Sequence, residues 1–69
     1  MNYSYKNIRD LREDNDITQA EVARVLGIAQ NTYSQYETGK IQFTAEMLVT
    51  LADFYGTNVD YLLGRTSKK

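Results

Sequence analysis

Between Gln30 and Gln35 stand Asn31, Thr32 and Ser34, and each of these side chains is an uncharged hydrogen-bonding group. A carboxamide holds a donor and an acceptor side by side, which complements the N6 and N7 edge of adenine in the major groove of DNA. A threonine methyl can pack on the thymine methyl. A helix face that meets only water usually carries Glu and Lys pairs, because they favour the helix, whereas Asn, Thr and Ser form helices less well. Five amide and hydroxyl groups in this run, Gln30, Asn31, Thr32, Ser34 and Gln35, therefore suggest readout of base edges, provided that the surrounding elements hold them outward.

The flanking pattern supplies such a setting. Residues 18–26 and 30–38 read as two helices meeting at Gly27, which can take the positive φ that a tight corner needs. Ala23 is small where the two would cross, and Val22, Leu26, Ile28, Tyr33 and Tyr36 would face a shared core. This is a helix-turn-helix pattern. Glu37, at the end of the second helix, would repel phosphate unless paired, and a bidentate arginine is the natural partner.

Apolar residues recur at three- and four-residue intervals along the chain, and no segment alternates as a strand does. The expected helices are 5–14, 18–26, 30–38, 44–55 and 58–63, giving an all-α, compact five-helix domain over residues 1–64 and a flexible polar tail over 65–69. Gly27, Gly39, Gly56 and Gly64 each follow an apolar face, while Ser4, Thr18, Thr44 and Asn58 each precede one as N-caps. Around Thr18, Glu21 completes a capping box and Ile17 with Val22 a hydrophobic staple; Phe43 and Leu48 have the staple spacing around Thr44.

The 69 residues are 42% hydrophobic and 25% charged and contain no proline, cysteine or histidine. That composition excludes disulfides, thiolate zinc sites, histidine-bound metals and histidine-assisted catalysis. Ser4, Ser34 and Ser67 have no base to activate them, and no glycine-rich phosphate loop is present, so neither an enzyme nor a cofactor is expected. Asp14-Asn15-Asp16 resembles the opening of a calcium loop but lacks the glycine and the closing glutamate, and it reads as a solvated turn. No apolar run is long enough for a membrane span, and Met1 to Lys6 lacks the core of a signal peptide. The expectation is a cytoplasmic protein without a membrane or small-molecule partner.

From about Ile8 to Gly64 the sequence resembles the lambda-repressor-like helix-turn-helix domains of the Cro and xenobiotic-response-element class. The resemblance rests on Leu11-Arg12, Thr18-Gln19, Ala23, Leu26-Gly27, Glu37-Thr38-Gly39-Lys40, Leu51-Ala52 and Asp60-Tyr61-Leu62-Leu63-Gly64. It implies that Gln30, Asn31 and Gln35 read bases, with Thr32 and Ser34 at the groove wall. It also implies that Gln19 binds phosphate and braces the first recognition residue, and that Lys40 and the helix start near Thr44 contact the DNA backbone. Arg12 and Glu37 match a pair that links the first helix to the end of the recognition helix. The chain departs from the family at Ala29, where a Ser or Thr cap is usual, at the bulky Tyr33 and Tyr36, and at Phe43, which replaces a common proline.

Val59, Tyr61, Leu62 and Leu63 are too many apolar groups for the inner face of one short helix, so Tyr61, Leu62 and Leu63 are expected at a homodimer interface. A two-fold pair would set its recognition helices about 34 Å apart on a palindromic operator in double-stranded DNA. The expected function is a sequence-specific DNA-binding transcriptional repressor; the alternative is a protein-interaction module of the antitoxin type. The net charge of −1 limits the phosphate grip: from Gly27 to Ala45 the only charged side chains are Glu37 and Lys40, and acids gather at Glu13, Asp14 and Asp16. Amides and helix ends must supply most of the hold, with a shallow dependence on salt.

Overall fold

Residues 5–69 are described by a computed structural model. They form five α-helices: α1 Lys6–Asp14, α2 Gln19–Leu26, α3 Gln30–Glu37, α4 Ala45–Tyr55 and α5 Val59–Leu62, with no strand among the described residues. Four of the expected ranges began on cap residues, and those helices start one residue inside them; α3 starts at Gln30 as expected. The cap expected at Ser4 lies outside the described residues; Tyr5, buried, stands directly before α1.

The helices α2, α4 and α5 each begin where a side chain satisfies a free amide, whereas α1 and α3 have no such cap. Thr18 Oγ1 accepts from the Glu21 amide at 3.1 Å while the Glu21 carboxylate accepts from the Thr18 amide at 3.4 Å, closing the capping box. Thr44 Oγ1 accepts from the Met47 amide at 3.1 Å, and Asn58 Oδ1 from the Tyr61 amide at 2.7 Å. Ala29 has the same extended backbone as those caps, φ −72° and ψ 150°, but no side-chain acceptor for α3.

All five helices end on the same pair of backbone bonds. After α2, the Gly27 amide donates to Arg24 O and the Ile28 amide to Ala23 O, with Gly27 at φ +72°. This is the Schellman arrangement, which satisfies two otherwise free carbonyls. Gly39, Gly56 and Gly64 repeat it after α3, α4 and α5. After α1 the same bonds, Asp16 amide to Glu13 O and Ile17 amide to Arg12 O, are made around Asp16 at φ +55°, an aspartate where the other corners have glycine. The acidic turn between α1 and α2 is therefore a helix stop.

The core gathers Ile8 and Leu11 from α1, Val22 and Ala23 from α2, Tyr33 from α3, Leu48, Leu51 and Ala52 from α4, and Leu62 from α5. Phe43, from the loop before α4, is buried among three tyrosines. Its ring meets Tyr5 edge-on at 4.8 Å, stacks on Tyr36 at 5.3 Å and meets Tyr33 at 6.3 Å. A large aromatic in place of a ring-closed loop residue thus anchors the α3–α4 connection to the core.

Leu62 is a correction to the reading of the C-terminal helix. It is wholly buried and belongs to the core, so it is unavailable to a partner; burying it is worth about 2 kcal/mol. On a helix as short as α5 only one residue can point straight inward, and the neighbours Val59, Tyr61 and Leu63 are left half-buried around it. The polar tail lies back along the same helix: Asn58 Nδ2 donates to Lys68 O at 3.2 Å, and the Lys69 ammonium lies 5.8 Å from the Tyr61 ring centre.

Candidate nucleic-acid interface

α3 offers few groups to the interior. Its two buried side chains are Tyr33 and Glu37, one turn apart on the same face. The other side carries the hydrogen-bonding residues: Gln30 and Asn31 are exposed, while Thr32, Ser34 and Gln35 are half-buried. At the corner below, the small Ala23 is buried against α3, and Gly27 turns the chain where an added Cβ would meet nothing within 4 Å.

The inner face is fixed by a carboxylate. Glu37 Oε2 accepts from Arg12 Nε at 2.9 Å and from the Tyr33 hydroxyl at 2.6 Å. Glu37 Oε1 accepts from an Arg12 terminal nitrogen at 3.0 Å and from Gln19 Nε2 at 3.2 Å. Arg12 also donates to Ile17 O at 3.1 Å, so its guanidinium joins α1, the α1–α2 turn and α3. Glu37 is therefore a meeting point of α1, α2 and α3, held by a bidentate arginine.

The electrostatics follow from that geometry. Burial alone would raise the Glu37 carboxyl, but hydrogen bonds from Arg12, Tyr33 and Gln19 outweigh it and hold the carboxyl below its ordinary value. The hydrogen bond to Glu37 raises Arg12 in turn, against the penalty of burial. Tyr33 is pushed far above the ordinary phenol range, first by burial and then by donating to a carboxylate. Tyr55 on α4 is also buried and is pushed up to about 12; its hydroxyl has no protein partner but feels the charges of both Arg12 and Glu37.

Two features of this cluster escaped the sequence reading. Gln19 donates its amide nitrogen to Glu37, a contact that neither spacing nor the resemblance pointed to. The hydroxyl of Tyr33, a residue expected to face the core, donates to Glu37. The separation of Tyr33 and Glu37 by four residues was the available signal.

Lys40 and Thr44 are exposed on either side of the loop that follows α3. The Lys40 amide is tied to Gln35 O at 2.9 Å, which fixes the start of that loop. Thr44 uses its oxygen to cap α4, leaving its hydroxyl proton for another acceptor at that helix N-terminus. Among the described residues, no group of His, Cys, Asp or Glu side chains could hold a metal, and no helix is long and apolar enough to cross a membrane.

A family model described as helix-turn-helix matches residues 8–62. The chain is 43% identical over 56 residues to the cryptic phage CTXphi transcriptional repressor RstR of Vibrio cholerae, covering 81% of this chain and 50% of that protein. It is 39% identical over 57 residues to the antitoxin PezA of Streptococcus pneumoniae, covering 83% of this chain and 35% of that protein. The chain thus spans about half or less of the length of these relatives. A transcriptional regulator from Listeria innocua has the same fold, with a TM-score of 0.86 and 20% identity over 100% of this chain and 65% of that one.

Proposed function

We propose that this chain, which belongs to the helix-turn-helix family in its Cro and xenobiotic-response-element class, is the DNA-reading unit of a cytoplasmic transcriptional repressor. The observation that carries the reading is the division of α3: Tyr33 and Glu37 are buried, while the uncharged amides and hydroxyls are exposed at Gln30 and Asn31 and half-buried at Thr32, Ser34 and Gln35. A helix so divided suits the major groove. In this reading Gln30, Asn31 and Gln35 contact base edges, and Thr32 and Ser34 meet the groove wall. Gln19, Lys40 and Thr44, with the amides that open α4, hold phosphate. Occupying an operator then excludes other proteins from it, and no chemistry is required.

The same reading includes a homodimer on a palindromic site. With Leu62 committed to the core, Tyr61 on α5 and Leu63 just after it are the half-buried candidates, and α4 adds the exposed Val49 and Phe54. The test is selection from a random pool of duplexes. Enrichment of a palindrome, and loss of binding in the protein with Gln30, Asn31 and Gln35 all changed to Ala, is the expected result. Unaltered affinity in that variant refutes readout by α3.

The likeness to PezA favours a second reading, in which the chain is an antitoxin-type partner that captures another protein. A pool that yields no enriched motif, with the protein forming a stoichiometric complex with a co-purified partner, supports that reading against the first.

A further inference from the structure

We infer that Tyr33 is a positioning residue whose hydroxyl, acting through Glu37, sets the roll of α3 about its own axis and so aims Gln30, Asn31 and Gln35. This rests on the DNA-reading role proposed above. The only buried side chains of α3 are Tyr33 and Glu37, and they meet in a 2.6 Å hydrogen bond. The helix has no side-chain cap at Ala29 to fix its first turn. Its orientation is therefore set from within: the Tyr33 ring is wholly buried beside Phe43, and the carboxylate it meets is tied to Arg12 on α1 and Gln19 on α2.

Three partners hold that carboxylate, each from a different helix: Arg12 from α1, Gln19 from α2 and Tyr33 from α3 itself. Arg12 and Gln19 fix where Glu37 lies; the tyrosine fixes how the helix that carries it is turned. Removing one oxygen from Tyr33 leaves the ring and its packing in place but unties it from the carboxylate that Arg12 and Gln19 hold, so that only the flexible Glu37 side chain links α3 to that point. Small rotations matter because a base-edge hydrogen bond weakens steeply once its angle is lost.

The test compares the unaltered protein with Tyr33→Phe on two duplexes, one carrying the enriched site and one with a single base changed at a position protected by α3. Melting temperatures are measured alongside. The expected result is a variant that remains folded at the assay temperature, binds the enriched site roughly three- to tenfold more weakly, and discriminates less between the two duplexes. Its binding should also fail at a higher pH on acidification, because Glu37 has lost a donor that favours its charged form. Unchanged affinity, discrimination and acid limb in Tyr33→Phe overturn the inference while leaving the DNA-reading role intact. A variant already unfolded at the assay temperature overturns it as well, since the hydroxyl then holds the fold rather than the aim. If the unaltered protein enriches no site, the DNA-reading role fails and this inference falls with it.

Discussion

Replacing Arg12 with Ala isolates the cluster on which α3 rests. The Arg12 side chain is 13% exposed and that of Glu37 only 3%, so the substitution strands a charge in the interior. Removing one partner of a buried pair costs about 3–5 kcal/mol. Two donors survive, Tyr33 and Gln19, which lowers the expected cost to about 2–3 kcal/mol. In a domain of this size each kcal/mol moves the melting temperature by about 4–8 °C, so a fall of about 10–20 °C is expected in a thermal scan at neutral pH followed by circular dichroism. Adding Glu37→Gln to Arg12→Ala should restore at least about 1 kcal/mol, because a neutral amide of the same shape is cheaper to bury than an unpaired carboxylate. The pH dependence follows from the sign of the shift. In the unaltered protein the Glu37 carboxyl lies below its ordinary 4.5, so its contribution is complete above that value and is lost as pH falls through the lowered one. In Arg12→Ala burial dominates, the carboxyl moves up, and protonation relieves the penalty; the gap between the two proteins should close on acidification. A fall of less than about 4 °C at neutral pH, or a gap that widens in acid, would refute this account of the cluster.

Three further outcomes are expected. Ala29→Ser supplies the missing acceptor at the start of α3, on a backbone already shaped like the other caps, and should raise stability by about 1 kcal/mol in chemical denaturation. Gly27→Ala meets no steric obstacle but must hold a methyl-bearing residue at φ +72°; a cost of about 1 kcal/mol is expected from the same measurement, and none at all would mean the corner can relax. In salt titration of operator binding, the logarithm of affinity should fall against the logarithm of salt with a slope shallower than about −5, because Lys40 is the only cation between Gly27 and Ala45.

Local signals proved most readable. Thr18, Thr44 and Asn58 cap the helices they precede, and the glycines stop them, because caps and left-handed corners are settled within a few residues. The Arg12–Glu37 pair was named from the resemblance and from the cost of a bare carboxylate, and it is formed. What periodicity could not provide was the partner of each inward residue. Three- and four-residue spacing marks a face but not what that face meets, so Phe43 appeared as a loop staple and proves to be buried among Tyr5, Tyr33 and Tyr36. Leu62 failed for a related reason: on a single turn of helix the inward and outward directions differ by one residue, and the pattern is too short to choose between them. The hydroxyl of Tyr33 was hidden by its type, since a tyrosine in a core position reads as a hydrophobe until its polar end is followed to Glu37.

Under the proposed repressor role, the near-neutral outer face of α3 bears on how the protein finds its site. A strongly basic binder is held by almost any DNA and scans along it, so much of its population is parked on the genome at irrelevant positions. A stretch, Gly27 to Ala45, whose only carboxylate is turned inward to an arginine and whose only cation is Lys40 has little to hold it where the sequence is wrong. Most copies would then remain free and reach the operator by repeated collisions from solution. Occupancy of the operator would follow the number of copies in the cell, without a large reservoir on the chromosome to buffer a fall in supply.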